Sequence, residues 1–366
     1  VSEEGGRALI TGTSGRESDL LNVMSDIENS MFSRFNNDEY LLEWKYSTSF
    51  HTFTLPRLVG DKENLDDKAL GCLSPSMKMV EMYYTENGLP IDADISWNYS
   101  NRYKLDAESS PDYEGVIPLN TKVVNLHLRR EPRFYASIAG DRMYWQRGTN
   151  TSERDYNLLV QAHKGEEPWG TQYDFIISNS WQNINGYWLK KHLFSWFQTK
   201  GYSNNLQGNE TAAIIRLAEV YLMQAEAWNE YLDQPDSRVY DPLDKVRKRA
   251  GILPVREAWG SYSNNPTKVT TKVGMREIIR QEYNIEFAFE GHRYWNIRRW
   301  LIAHQVMNEK QYGWNILGTT EQAFYNYETG PIVVWSNNKF VAPRDYLDPF
   351  DAEEILISGM VQNPQW

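Results

Sequence analysis

Apolar residues recur at three- and four-residue steps through the middle of this chain. Ile214, Leu217, Ala218, Tyr221, Leu222 and Ala225 share one helical face, while Glu219, Gln224 and Glu226 fall off it. Val239, Leu243, Val246 and Ala250 repeat the pattern, and Gly251 supplies a stop. The two segments predict a helical hairpin with small Ala residues at the closest approach. A second pair follows: residues 275–290 are apolar at Ile278, Ile285 and Phe289 and break at Gly291, and residues 292–307 carry Tyr294, Ile297 and Leu301 on one side.

The patterning before and after this core is shorter in period. Residues 20–35 predict a short ordered element after a loop-like start, and residues 40–54 alternate as a strand. Residues 75–84 predict a short helix with Met79 and Met82 facing inward, and NGLPI at 87–91 turns out of it. Residues 123–138 alternate and predict strand. Residues 149–170 are polar and loop-like, and 171–210 are dense in aromatics, Asn and Gln. Residues 309–342 predict a hairpin around Gly330 and Pro331.

Charge adds one local feature and one exclusion. Glu282, Glu286 and Glu290 form a purely acidic row on a helix, which is unfavourable unless cations cross over to it. The arginines nearest in sequence are Arg276, Arg280, Arg293, Arg298 and Arg299, and the planar guanidinium suits partly buried carboxylates. The net charge of −11 argues against a nucleic-acid groove, whose phosphates call for a basic face. No run approaches the apolar length of a membrane span.

Catalytic and metal signatures are missing from the sequence. There is no paired-Cys spacing, HExxH, GxxxxGK or GxGxxG, and GTSG at 12–15 lacks the spacing of a nucleophile elbow. His127 and His192 stand in apolar contexts and read as core residues. Asp61, Glu63, Asp66 and Asp67 lack the spacing of a calcium loop. The reading is a chain without catalytic residues, metal or cofactor. Cys72 is the one cysteine, so no internal disulfide forms. The small residues before it follow a charged stretch rather than the apolar stretch of a signal, so Cys72 reads as a packing residue.

Three stretches carry a resemblance: RLAEVYLMQAEAW at 216–228, VRKRAG at 246–251 and RQEYNIEFAFEGHRYWNIRRW at 280–300. Together with PSMKMVEMYY, REPRFYASI and the ending PRDYLDPFDAEEI…QNPQW, they resemble the SusD/RagB family. The family has Gly more often where Gln365 stands. The resemblance implies a mostly α, SusD-like fold, with tetratricopeptide-like helical hairpins packed against an irregular, loop-rich region containing short strands. It implies a loop-rich, ligand-facing region over 1–210, a helical scaffold over 211–308 and a C-terminal hairpin and tail over 309–366. Family members are longer, beginning with a signal, a lipid-bearing Cys and further N-terminal helices, so this chain is expected to lack the N-terminal part. The implied function is a cell-surface glycan-binding protein, an outward-facing lipoprotein of the outer membrane. It would deliver nutrient to a SusC-like TonB-dependent transporter. Peptide or glycopeptide cargo, or a helical-repeat adaptor that binds only protein, are the alternatives.

Sugars present C–H faces that flat rings cover and hydroxyls that amides and guanidiniums bond. Aromatics beside polar side chains in loops therefore become the candidate contacts. They are Trp44 and Tyr46; Trp97, Asn98, Tyr99 and Arg102; Trp169; and Trp181, Asn183 and Trp188. The bland alternative for each ring is ordinary packing. Trp145, Trp295, Trp300 and Trp366 fall in the family-wide motifs and are assigned to the scaffold.

Overall fold

The computed structural model describes residues 16–31, 39–45, 54, 71–145, 158–166, 183–192 and 211–366. Helix α1 spans Arg16–Met31, and strand β1 spans Tyr40–Lys45. The helix expected near 75–84 is α2, Met77–Met82, capped by the Ser76 side chain. Its buried residues are Met77 and Val80, with Met79 and Met82 only half-buried, so the inward face is rotated from the one expected. Strands β2 (Leu105–Ala107) and β3 (Lys122–Val124) pair antiparallel.

The alternation at 123–138 does not continue as strand. Pro132 sits in the first turn of a helix, α3, Pro132–Ser137, where its missing N–H costs nothing. Two-residue strands follow: β4 (Ile138–Ala139), β5 (Tyr144–Trp145), β6 (Leu158–Leu159) and β7 (Trp188–Leu189). β4 pairs with β7 and β5 with β6, each antiparallel. Strand β8, Thr211–Arg216, pairs with β1. Ile214 belongs to that strand and is exposed, so it leaves the helical stripe expected of it.

The helical hairpin is α4, Leu217–Tyr231, against α5, Ser237–Arg249. Ala218, Leu222 and Ala225 meet Val239, Leu243 and Val246 in one buried cluster. The Asp236 side chain caps α5, and Gly251 ends it with φ +73°, a left-handed conformation that glycine adopts without strain. Helix α6 is Val255–Tyr262. Helix α7, Lys272–Glu286, starts at the Thr271 cap, where a Cβ on Gly274 would lie 2.0 Å from the Lys268 carbonyl oxygen.

The single helix expected over 292–307 is two. α8, His292–Arg299, and α9, Ala303–Val306, are separated at Leu301, which has φ +56°. Ile297 is buried, but Tyr294 and Leu301 are exposed. Strands β9 (Gln311–Gly313) and β10 (Ile332–Trp335) form the C-terminal antiparallel pair, with helix α10, Glu321–Tyr325, between them. Helix α11, Ala352–Ser358, closes the tail. A second core cluster joins α1, α2, α3 and the short strands to Trp314, Phe324 and Tyr325 of the C-terminal region.

The acidic row is neutralised from afar. Glu286 receives Arg133 of α3 at 2.9 Å, Arg216 of β8 at 2.6 Å, and Arg249 of α5. Glu282 pairs with Arg133 and Arg247, and Glu290 with Arg216 and Lys191. The expected donors lie elsewhere: Arg276 pairs with Glu230 and Arg299 with Glu226. Burial alone would raise the Glu286 carboxyl, but Arg249, Arg216 and Arg133 hold it well below the usual carboxylate range. Three elements, α3, β8 and α5, and Lys191 after β7 converge on this acidic row, and the network ties the helical hairpin to α3 and β8.

Candidate ligand-binding surface

The stretch SWNYSNRY folds as a loop anchored at its base. Asp94 is buried and accepts the Ser96 backbone N–H at 2.8 Å, the Ser96 hydroxyl at 2.6 Å and the Asn87 amide at 3.0 Å. Those bonds fix the exit of the chain, and a short 3-10 turn, Tyr99–Asn101, follows. Trp97 is half-buried against the core, with its indole N–H donated to the Leu128 carbonyl at 3.1 Å. Its ring packs on the core at the base of the loop.

Beyond Trp97 the side chains stack. The Arg102 guanidinium lies 4.2 Å from the Tyr99 ring centroid and 4.3 Å from that of Tyr103. Glu81 of α2 holds the stack, accepting the Arg102 Nε–H at 2.9 Å and the Tyr103 hydroxyl at 2.6 Å. Burial opposes the Arg102 charge, but Glu81 and Tyr103 more than offset it and raise its pKa. Burial and the Glu81 carboxylate likewise push the Tyr103 phenol up. Tyr103 turns inward, edge-on to Trp314 at 6.0 Å, whereas Tyr99 is exposed beside the exposed Asn98, Ser100 and Asn101. A phenol braced on one face by a fixed guanidinium, with amides around it, can stack on an apolar ligand face and hydrogen-bond its rim.

The SusD family model matches residues 31–366. The chain belongs to the SusD family. It is similar to the SusD-like protein P2 of Formosa agariphila, at 27% identity over 183 residues, 48% of this chain and 30% of that protein. It is also similar to SusD-like protein P25 of the same organism, at 34% identity over 104 residues, 28% of this chain and 18% of that protein. Among solved structures, BT4246 matches with a TM-score of 0.70 and 21% identity, covering 94% of this chain and 53% of its own. A SusD-like protein of Bacteroides fragilis NCTC 9343, BF3747, matches with a TM-score of 0.64 and 19% identity, over 100% of this chain and 59% of its own. These likenesses show a shared SusD fold. The matched stretches span 30% and 18% of those curated relatives, so the match covers only part of their length.

Within this SusD-family chain, the candidate residues separate. Tyr99 and Arg102 stack, Asn98 is exposed next to them in sequence, and Trp97 packs on the core. Trp44 is 65% exposed on β1, and among the described residues no ring contact joins it to the Tyr99 group. Tyr46, Trp169 and Trp181 lie outside the described residues. Asn183 and Trp188 are both buried and leave the candidate set. Asn183 builds a turn, accepting the N–H of Asn185 and Gly186 and donating to the Tyr187 carbonyl at 2.6 Å. That turn feeds β7, which places Trp188 in the core against β4.

Of the rings assigned to the scaffold, Trp145 and Trp300 are buried. Trp295 is largely exposed, edge-on to Tyr294 at 5.0 Å, and Trp366 stacks on Arg344 at 4.4 Å. Glu81 and Tyr103 were missed as members of the stack. Tyr103 had a signal in its position beside Arg102, whereas Glu81 is joined to the stack only by the fold.

Proposed function

We propose that this protein captures glycans at the cell surface, with Tyr99 as the stacking ring and Arg102, Asn98 and Trp97 around it. The observation that carries the reading is the Tyr99–Arg102–Glu81 arrangement: one ring face is braced, the ring is exposed, and exposed amides flank it. Membership of the SusD family supports it, since SusD-like proteins are carbohydrate-binding and typically outer-membrane lipoproteins. A structural neighbour from Bacteroides fragilis with a TM-score of 0.57 is described as a SusD-like carbohydrate binding protein.

The protein acts without chemistry on its cargo. Its partner is a SusC-like TonB-dependent transporter, to which the glycan passes, and its place is the outward-facing surface of the outer membrane, held by a lipid anchor. Among the described residues, no helix is long and apolar enough to cross a membrane. Titration with a panel of oligosaccharides, followed by heat and by Trp fluorescence, tests the reading. Saturable binding that Tyr99→Ala weakens supports it. Release of reducing sugar over time, or capture of peptides with no response to any glycan, overturns it.

A further inference from the structure

The turn between β4 and β5 brings Asp141 and Arg142 against the segment after β6. The β5–β6 pairing sets this register, and the Arg142 N–H bonds the Val160 carbonyl at 2.8 Å. His163 and Glu166 close a tight turn at Gly165, with the Glu166 N–H on the His163 carbonyl at 3.0 Å, so their side chains converge. His163 and Asp141 are almost wholly buried. One donor atom from each of Asp141, His163 and Glu166 lies within 4.8 Å of the others.

A cation position is already marked in this cluster. Arg142 Nη2 sits 3.2 Å from His163 Nδ1 and 2.8 Å from Glu166 Oε1, between an imidazole nitrogen and a carboxylate oxygen. His163 Nε2 lies 3.2 Å from Asp141 Oδ2, so the second ring nitrogen also faces a carboxylate. Among the described residues, the guanidinium is one cation against two carboxylates. Asp141 is also oriented from behind: its Oδ1 accepts the Ala162 N–H at 2.8 Å and its Oδ2 the Tyr325 hydroxyl at 2.9 Å. Phe324 and Tyr325 pack against the His163 ring, at centroid distances of 5.0 and 6.1 Å.

We propose that Asp141, His163 and Glu166 form a binding site for a divalent transition metal of the zinc, cobalt or nickel class, at the position the Arg142 guanidinium occupies. One imidazole nitrogen with two carboxylates suits those borderline ions, whereas calcium takes a shell of six to eight oxygens. Metal bonds of about 2.0–2.2 Å require Glu166 and His163 to close in by about 1 Å. Arg142 must swing outward. Both movements are open to the protein: the Arg142 and Glu166 side chains are 19% and 29% exposed, and among the described residues nothing lies within 4 Å of where a Gly165 Cβ would stand. The hydrogen bonds behind Asp141 are of the kind that orient metal ligands.

The test titrates the full chain with zinc chloride by calorimetry and with cobalt chloride by visible absorption, beside calcium chloride. One zinc ion per chain is expected, with no calcium heat at the same concentrations. Glu166→Gln, at a partly exposed position, and His163→Ala each weaken zinc by at least about tenfold. Arg142→Ala tightens it by about tenfold, as a nearby like charge is removed. Circular dichroism checks that each variant is folded. Zinc binding that is unchanged in folded Glu166→Gln or His163→Ala overturns the site, as does a folded Arg142→Ala chain that binds neither metal. Glycan capture plays no part in the measurement.

Discussion

Arg216 places its Nη1 2.6 Å from Glu286 Oε1, and both side chains are almost wholly buried. The pair fastens the end of β8 to the last turn of α7, and Arg216 also reaches Glu290 and Glu39 at 2.8 and 3.0 Å. Removing one partner of such a group leaves buried charge uncompensated, at a cost of about 3–5 kcal/mol. Arg216→Met should therefore lower the unfolding free energy measured in urea by that much. Arg276→Ala, which loses only the half-exposed pair with Glu230, should cost about 0–1 kcal/mol. Equal small losses in both variants would show that the network does not hold these elements together.

The same network predicts an acid limit. Burial opposes ionisation of Glu290, but Arg216 and Lys191 lower its pKa from 4.5 to about 2. A carboxyl depressed in the fold contributes stability that is complete above the unfolded value and is lost as pH falls toward the folded one. Stability supplied by Glu290 should thus decline between pH 4.5 and about 2. Urea unfolding at pH 6 and pH 3 should show a smaller difference for Glu290→Gln than for the parent chain (both conditions at fixed salt). A difference of the same size would detach the acid transition from this carboxyl.

His127 acts in a neighbouring window with the same sign. Its ring is buried, its Nε2 lies 3.1 Å from the Tyr187 hydroxyl, and burial lowers its pKa from 6.5 to about 3. The unfolded chain binds a proton there between those values and the folded chain does not, so stability falls as pH drops below 6.5. His127→Gln should flatten the stability profile between pH 6.5 and 4.5, a range that lies above the Glu290 window. A profile as steep as the parent's would place the titrating group elsewhere.

How much of this was legible depends on the range of the interaction. The α4–α5 hairpin follows from Ala218, Leu222, Val239 and Leu243, because a helix encodes its buried face within a few residues. The break at Leu301 was hidden, since no glycine or proline marks it. At 123–138 the alternating pattern competed with Pro132, and the proline signal was the one to follow. The acidic row correctly called for arginines, but Arg133 meets Glu286 from 153 positions away, and sequence proximity favoured the wrong donors. Tyr99 and Arg102 are three residues apart and could be grouped by eye, whereas Glu81 is brought to them by the tertiary fold. Trp188 shows the opposite limit: an Asn-rich, aromatic stretch reads alike as a ligand loop or as a turn leading into a core strand.

The ligand prediction turns on a contrast between rings. Tyr99 has an exposed face and an Arg102 brace, whereas Trp188 is enclosed. Tyr99→Ala should keep the parent's unfolding midpoint and weaken oligosaccharide binding by about tenfold, in line with about 0.5–1.5 kcal/mol for an aromatic contact beyond its area. Trp188→Ala should do the reverse at the level of the fold, costing about 3–5 kcal/mol of stability. Arg102→Lys keeps the charge but loses the planar stack and the fit to Glu81, so it should fall between the parent and Tyr99→Ala in affinity. For a neutral glycan, raising salt should leave the affinity nearly unchanged, because no screened charge pair crosses the interface. Urea unfolding of Tyr99→Ala and Trp188→Ala reads the stability contrast, and calorimetric titration of Tyr99→Ala and Arg102→Lys with one binding oligosaccharide, at two salt concentrations, reads the affinities. Full affinity in a folded Tyr99→Ala chain would move the stacking surface to another ring, with Trp44 the next exposed candidate.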